Sequence, residues 1–161
     1  SIKISSGFCT IIDIHKFDDG HVRFGSEISV NYIKETFQQL GFDVKSSCDL
    51  NHIEIFSTIN RLINSEECKN YDAFVLYIHT HGIGESVIAS DRSRIKINDI
   101  IKLFTDESCP LFINKSKILI FDCCRPDDFN YELYDAPLIP EAIPYSDVTV
   151  CYSTLLGKNF N

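Results

Sequence analysis

The feature that most constrains the fold is an alternation between short apolar runs and segments with helical periodicity. The runs Gly7–Ile14, Tyr71–His79 and Lys117–Cys123 are apolar enough to be strands buried on both faces of a sheet. Ser26–Leu40 carries apolar residues at helical spacing and ends before Gly41, where a helix end favours a positive φ. Because strands that alternate with helices are typical of βαβ units, we predict an α/β fold with a mostly parallel sheet and helices on both faces.

The remaining predicted elements are shorter or more polar. Asn51 and Glu54 match a capping box, which predicts the start of a second helix. The apolar stripe of the first helix, which we expect to be buried, consists of Ile28, Tyr32, Ile33, Phe37 and Leu40. The other predicted elements are strands at Phe42–Val44 and Val148–Ser153, a hairpin of Val87–Ala89 and Ile95–Ile97, and a short helix at Asn98–Phe104.

Chain length and proline distribution predict a single domain, residues 1–161, with an internal linker. Four of the five prolines and a cluster of acids fall between Arg125 and Pro144. We predict that residues 126–142 link a large first segment, about 1–125, to a short last segment, about 143–161.

The net charge and the cysteine spacing indicate which classes of binding partner and which cellular compartment to expect. The formal net charge of -8 repels phosphate backbones and anionic lipids, so we expect no nucleic-acid partner and no membrane partner. The seven cysteines match no secreted disulfide framework, and no basic-then-apolar leader precedes the first strand. These features predict a reduced, cytoplasmic protein.

Two polar loops follow strands that we expect to be neighbours. His79–Gly82 follows the third predicted strand and Asp122–Pro126 follows the fourth, so both lie at the carboxyl edge of the sheet. A cysteine nucleophile needs a nearby imidazole to accept its proton, so His81 and a cysteine of the second loop, Cys123 or Cys124, form a candidate catalytic pair. The amides of Gly82, which lacks a Cβ, and of Cys124 are the candidate oxyanion donors.

The same residues allow two other interpretations. In one, His81 is an ordinary loop histidine, and Cys123 and Cys124 are buried core residues. In the other, a zinc site is formed by His79, His81, Cys123 and Cys124. Adjacent strand residues point to opposite faces, which argues against two adjacent cysteine ligands. We therefore expect no metal and no cofactor, and we interpret Cys123 as core packing.

At these loops the sequence resembles the caspases. That family carries a Ser-His-Gly loop and a Gln-Ala-Cys-Arg-Gly loop, matched here by Thr80-His81-Gly82 and Asp122-Cys123-Cys124-Arg125-Pro126. The resemblance implies that His81 and Cys124 are the catalytic pair, since Cys124, the residue before the arginine, takes the nucleophile's place. The interval from His81 to Cys124 is near the roughly 50 residues typical of the family. Arg23-Phe24-Gly25-Ser26-Glu27 resembles the family's Arg-Ser-Gly-Thr-Asp stretch, whose arginine holds the substrate's aspartate. The similarity covers nearly all of the chain, because further matches follow in order at Ile11–Ile14, Leu40–Val44 and Cys151–Thr154.

The resemblance implies a caspase-like fold and a cysteine endopeptidase that hydrolyses protein or peptide substrates in programmed cell death or immune signalling. Residues to about 125 would be large-subunit-like, and those from about 143 would begin a small-subunit-like region. Arg23 would bind substrate, since a guanidinium grips a carboxylate through two parallel hydrogen bonds. Processing between the two segments is expected after Asp135, in the acidic linker.

Departures from the family pattern favour an alternative function. In the family, a glutamine lines the same pocket as the substrate-binding arginine, and Asp122 takes the place of that glutamine here. Asp122 is thus a second expected substrate-binding residue, beside Arg23, and its negative charge would oppose acidic substrates. Metacaspases and paracaspases resemble this loop in carrying aspartate there and prefer basic substrates, which leaves the preference open. Pro126 replaces a glycine, and the chain ends at Asn161, before the family's second substrate-binding arginine. The alternative is a weak or inactive homologue that regulates another caspase by binding it.

Overall fold

A computed structural model describes residues 6–123 and 147–153, which form a five-stranded sheet and a small three-stranded sheet. In chain order the strands and helices are β1 (Gly7–Asp13), α1 (Ser26–Gln39), β2 (Phe42–Cys48), α2 (His52–Ile63), β3 (Ala73–His79), β4 (Gly82–Ile83), β5 (Ser86–Ile88), β6 (Arg94–Lys96), α3 (Ile97–Ile101), β7 (Ser116–Asp122) and β8 (Val148–Tyr152). Short 3-10 helices lie at Glu66–Asn70, Lys102–Phe104 and Pro110–Phe112.

The larger sheet has the strand order β2-β1-β3-β7-β8, and each of its pairings is parallel. Every residue of β1 and β3 is buried, because each strand has a neighbour on both sides and a layer on both faces. The predicted α/β fold with a mostly parallel sheet is confirmed.

Alternate residues of the central strands face different layers. Phe8 and Ile12 belong to the larger hydrophobic cluster, together with Ile55, Ile59 and Ile63 of α2. Cys9 and Ile11 belong to a smaller cluster, against which α1 packs through Val30, Ile33 and Phe37. Helices therefore lie on both faces of the sheet, as predicted.

The predicted stripe of α1 is only partly correct. Ile33 and Phe37 pack on the sheet, but Ile28, Tyr32 and Leu40 are 73%, 71% and 65% exposed. At about 100° per residue, Ile28 and Tyr32 lie on the side of the helix opposite Val30 and Ile33. The sheet can cover only one side of α1, so spacing alone could not indicate which apolar positions it covers.

Two elements are longer than predicted. β2 extends from Phe42 to Cys48 rather than ending at Val44, because its backbone pairs with β1 in register over its whole length. Its polar residues are tolerated since β2 is an edge strand of the sheet. The predicted hairpin gains a third strand, because Gly82–Ile83 pairs with β5.

Several predictions concern residues outside the described part of the chain. Cys124, Asp135 and the linker 126–142 all lie there. The division of the chain near residues 125 and 143 therefore stays a prediction. None of the helices formed by residues 6–123 and 147–153 has both the length and the apolarity needed to span a bilayer.

Candidate active site

Four side chains form a row across the carboxyl edge of the large sheet. Strand register places Asp13 opposite Cys48 on β2 and opposite His79 on β3. His79 is in turn opposite Asp122 at the end of β7. The loops that carry Arg23 and His81 follow β1 and β3 and begin at this same edge.

Arg23 is held by the backbone and by a histidine. Its Nη1 donates to the carbonyl of Ile14 at 2.9 Å, and its Nη2 lies 2.9 Å from Nε2 of His79. A guanidinium is always a donor, so Nε2 of His79 must accept this hydrogen bond. The proton of His79 therefore resides on Nδ1, which lies 3.0 Å from Oδ1 of Asp13 and donates to it.

Asp13 is the buried anion of this network. Its Oδ2 accepts from Ser26 Oγ at 3.1 Å, and the guanidinium of Arg23 is 3.8 Å from its Oδ1. Burial opposes ionisation of Asp13, but hydrogen bonds from His79 and Ser26 and the nearby His15 hold its pKa below the usual range. Asp13 thus anchors His79, and His79 anchors Arg23.

Asp122 is the second carboxylate near His79. It lies on β7, whereas Asp13 lies on β1, the neighbour of β3 on the opposite side. The hydroxyl of Tyr77 donates to Oδ2 of Asp122, which is 4.0 Å from Nε2 of His79. Burial and this hydrogen bond raise the pKa of Tyr77, so its hydroxyl stays protonated. Nη2 of Arg23 and Oδ2 of Asp122 therefore lie 2.9 Å and 4.0 Å from the same nitrogen, Nε2 of His79.

The loop that carries His81 is tied to two neighbouring segments. The amide of Thr80 donates to the carbonyl of Asp122 at 3.3 Å, and its Oγ1 donates to the carbonyl of Ile88 at 2.7 Å. The amide of Ile88 donates to the carbonyl of His81 at 3.0 Å. These bonds hold His81 next to the end of β7, the strand that precedes Cys124 in the chain.

The imidazole of His81 has aromatic and cationic neighbours. Its ring stacks on Phe17 with centroids 5.4 Å apart, and its Nε2 lies 3.2 Å from Nε2 of His21. Burial, followed by the nearby charges of Arg23, His21 and Arg92, lowers the pKa of His81 from 6.5 to about 4. The side chain is therefore a neutral imidazole at pH 7 and is able to accept a proton.

The other predicted site residues have mixed outcomes. Gly82 is buried at the start of β4, and its role as an oxyanion donor stays a prediction. Cys123 is 3% exposed and belongs to the larger hydrophobic cluster, as its interpretation as core packing requires. The nitrogens of His79 are already paired with Asp13 and Arg23, which argues against the zinc site weighed from the sequence.

Three residues of this site were not recognised in the sequence. The sequence pattern assigns Asp13 and Tyr77 only to predicted strands, and it assigns no role to His21. The signal available for Asp13 was its position near the end of a predicted parallel strand, which places it at the carboxyl edge of the sheet; its pairing with His79 follows from the register seen in the structure. No comparable signal exists for His21, because its contact with His81 depends on how the loop before α1 folds back.

Comparisons with known proteins identify the family that this chain resembles. The family model of the caspase domain matches residues 6–159. Caspase Dronc of Drosophila melanogaster is 26% identical over 133 residues, which are 80% of this chain and 30% of that protein. Caspase-6 of Mus musculus is 30% identical over 118 residues, which are 73% of this chain and 40% of that protein.

A solved structure supports the same assignment at the level of the fold. The crystal structure of the Drosophila initiator caspase Dronc superposes with a TM-score of 0.73 at 24% identity, covering 91% of this chain and 54% of that chain. The present chain thus spans between about a third and just over half of the proteins named here. Since the family model covers almost the whole sequence, the chain belongs to the caspase family.

Proposed function

We propose that this chain is the catalytic part of a caspase-type cysteine endopeptidase, with His81 as the base and Cys124 as the nucleophile. The observation that carries the proposal is the hydrogen bond from the Thr80 amide to the Asp122 carbonyl. It ties the loop of His81 to the strand end that leads, through the buried Cys123, to Cys124. Because side chains alternate in extended backbone, a residue after Cys123 would point away from the core.

The chemistry would follow from the neutral state of His81. The imidazole would accept the proton of the Cys124 thiol as the sulfur attacks the substrate carbonyl, and it would return that proton to the leaving amine. Water would then hydrolyse the thioester. The amides of Gly82 and Cys124 would donate to the oxyanion of each tetrahedral intermediate. A pKa of about 4 makes a resting imidazolium unfavourable, so the base would act during attack.

His21 defines which nitrogen of His81 would face the thiol. The two Nε2 atoms lie 3.2 Å apart, within hydrogen-bonding distance. One imidazole can donate to the other through these atoms, so Nε2 of His81 is engaged by His21. Nδ1 of His81 is therefore the nitrogen that we assign to the proton of Cys124.

We infer that a substrate pocket formed by Arg23 and Asp122 prefers substrate aspartate less strongly than a pocket formed by arginine and glutamine. Asp122 and Arg23 both approach His79, so a substrate carboxylate at Arg23 would also meet the charge of Asp122. At an effective dielectric constant near 20, unit charges about 4 Å apart interact by roughly 4 kcal/mol before desolvation. The repulsion from Asp122 would offset much of the attraction by Arg23.

Replacing Asp122 with glutamine is expected to favour acidic substrates. Removal of one negative charge should raise kcat/KM for a peptide cleaved after aspartate about tenfold, which corresponds to roughly 1.4 kcal/mol. A peptide cleaved after lysine should show the opposite change. Asp99→Asn, at an exposed position on α3, is the matched control. Equal effects of Asp122→Gln on both peptides would contradict the inferred role of Asp122.

A second candidate function is a non-catalytic homologue that binds and regulates another caspase. The specific observation in its favour is that Asp122 Oδ2 lies 4.0 Å from Nε2 of His79, the nitrogen that also accepts from Arg23. The charge of Asp122 would weaken the binding of acidic substrates at Arg23. Under this function Cys124 would not react faster than an ordinary thiol. An active caspase, rather than a peptide substrate, would then be the partner.

The family suggests further features that belong to the proposal. These are protein substrates, a cytoplasmic location and a role in programmed cell death or immune signalling. We also propose that processing occurs after Asp135. Incubation with an active caspase should release two fragments, which mass spectrometry can identify, and Asp135→Ala should leave the chain intact.

An activity-based probe for cysteine proteases separates the two functions. A peptide with an electrophilic group should label Cys124, as located by mass spectrometry, and Cys124→Ala should remove the labelling. Cys151→Ser, at an exposed cysteine on β8, is the control and should label normally. Labelling of Cys124 no faster than of Cys151 would favour the regulatory homologue.

A further inference from the structure

A second cluster of ligating side chains lies where β1 and β2 end. Asp13, His15 and Cys48 each offer one ligand atom, and these atoms lie within 4.8 Å of one another. The proposed catalysis uses neither His15 nor Cys48. We propose that these three side chains bind a zinc ion, with the fourth position left to water. The proposal does not depend on protease activity, so either can fail without the other.

The distances fit tetrahedral coordination. His15 Nδ1 is 3.2 Å from Asp13 Oδ2. Zinc ligands of nitrogen, oxygen and sulfur at their usual bond lengths are separated by roughly 3.3 to 3.6 Å on a tetrahedral ion. The imidazole and the carboxylate are therefore already near the required separation. Cys48 is exposed on β2, an edge strand of the sheet, so an ion can reach its thiol from solvent.

Neighbouring groups orient the ligands. Asp49 Oδ1 accepts from the backbone amides of His15 and Lys16, at 2.9 Å each, and lies 3.3 Å from His15 Nδ1. Ser26 Oγ donates to Asp13 Oδ2 at 3.1 Å. Such supporting bonds fix the direction of metal ligands and are part of most protein metal sites. The ends of both strands are thus held in place before an ion arrives.

The local charge also favours a divalent cation. Asp13 Oδ2 and Asp49 Oδ1 lie 3.2 Å and 3.3 Å from His15 Nδ1, so two carboxylates surround one imidazole. Their negative charge would attract a divalent cation. The combination of thiolate, imidazole and carboxylate suits zinc better than magnesium or calcium, which prefer oxygen ligands alone.

Binding would displace protons. Cys48 would release its thiol proton to solvent, and the proton of His15 would move from Nδ1 to Nε2 so that Nδ1 could ligate the ion. Affinity should therefore rise with pH. Asp13 would keep its second oxygen for His79, so an ion here would share a carboxylate with the network that holds Arg23.

Cobalt titration of the full chain tests the proposal, because cobalt replaces zinc and reports on thiolate ligands. The protein should carry Cys124→Ser, which removes the candidate nucleophile as a competing ligand. We expect one cobalt per chain, a thiolate-to-cobalt charge-transfer band in the near ultraviolet, and displacement by zinc. Cys48→Ser should abolish the band, His15→Gln should weaken binding at least tenfold, and Cys151→Ser should change neither.

Cys48→Asp provides a second variant that keeps an oxygen ligand. It should retain one metal per chain but lose the charge-transfer band. Because Cys48 and Cys151 are both exposed, circular dichroism should show all of these variants folded. Absence of stoichiometric cobalt binding in the parent chain would overturn the proposal. Persistence of the band in Cys48→Ser, or its loss in Cys151→Ser, would do the same.

Discussion

Replacing His81 with alanine is expected to lower kcat/KM for a peptide substrate by roughly 10² to 10⁴, the usual contribution of a positioned general base. The loss should appear mainly in kcat, because His81 would act on the thiol proton rather than on substrate binding. His52→Ala removes an exposed histidine at the start of α2 and should leave both constants unchanged. Peptide hydrolysis measured over a range of substrate concentrations checks the prediction.

The pH profile separates a catalytic role of His81 from a structural one. Since its pKa is lowered to about 4, the acid limb of kcat/KM should lie near pH 4 instead of near 6.5. The lowered pKa also affects the free energy of unfolding. Below about pH 6.5 the unfolded chain protonates this histidine while the folded chain does not, so stability should decrease as the pH falls from 6.5 to 4. The H81A variant should lose this part of the stability decline. An acid limb near 6.5 in the parent protein would contradict the assignment.

Replacing His79 with leucine is expected to destabilise the fold by about 2 to 4 kcal/mol, because it removes a hydrogen-bond donor from a buried charged acceptor. His79 donates to Asp13, and leucine would leave that buried carboxylate without its partner. The cost is moderated because Asp13 keeps its hydrogen bond from Ser26. Arg23 would also lose an acceptor, so the substrate pocket should loosen. Urea unfolding gives the free energy, and the slope should stay constant.

Two further measurements identify the mechanism of that loss. His79→Gln keeps a hydrogen-bond donor for Asp13 and should cost less than His79→Leu. Asp13 has a lowered pKa, so its stabilisation is present above the unfolded value, near 3.9, and is lost as the pH falls through the folded value. The gap between the parent and His79→Leu should therefore be wide at pH 7 and narrow below about pH 4. A gap that is independent of pH would point to lost packing instead.

The fold was predictable because apolarity and strand burial are directly linked in a parallel sheet. β1, β3 and β7 are apolar runs, and each was predicted within a few residues of its observed bounds. β2 was predicted too short, because its polar residues are held by pairing with β1 and not by burial. The outward position of Ile28 and Tyr32 was missed for a related reason: helical spacing does not state which side meets the sheet.

The site was predictable only where local motifs carry it. His81, Gly82 and Asp122 could be located because each follows a buried strand at the carboxyl edge. The network of Asp13, His79 and Arg23 depends on register between strands that are distant in the chain, which a single sequence does not specify. The contact between His21 and His81 likewise needs the three-dimensional path of a loop. Register and loop path are therefore what the structure adds.

The proposed catalytic pair can be tested by measuring the distance between His81 Nδ1 and Cys124 Sγ in a crystal structure of the full chain with a covalently bound peptide inhibitor. We expect the two atoms to lie within about 4 Å, with the inhibitor attached to Cys124 and the imidazole of His21 still in contact with Nε2 of His81. A sulfur of Cys124 buried with Cys123, or separated from His81 by the end of β7, would contradict it.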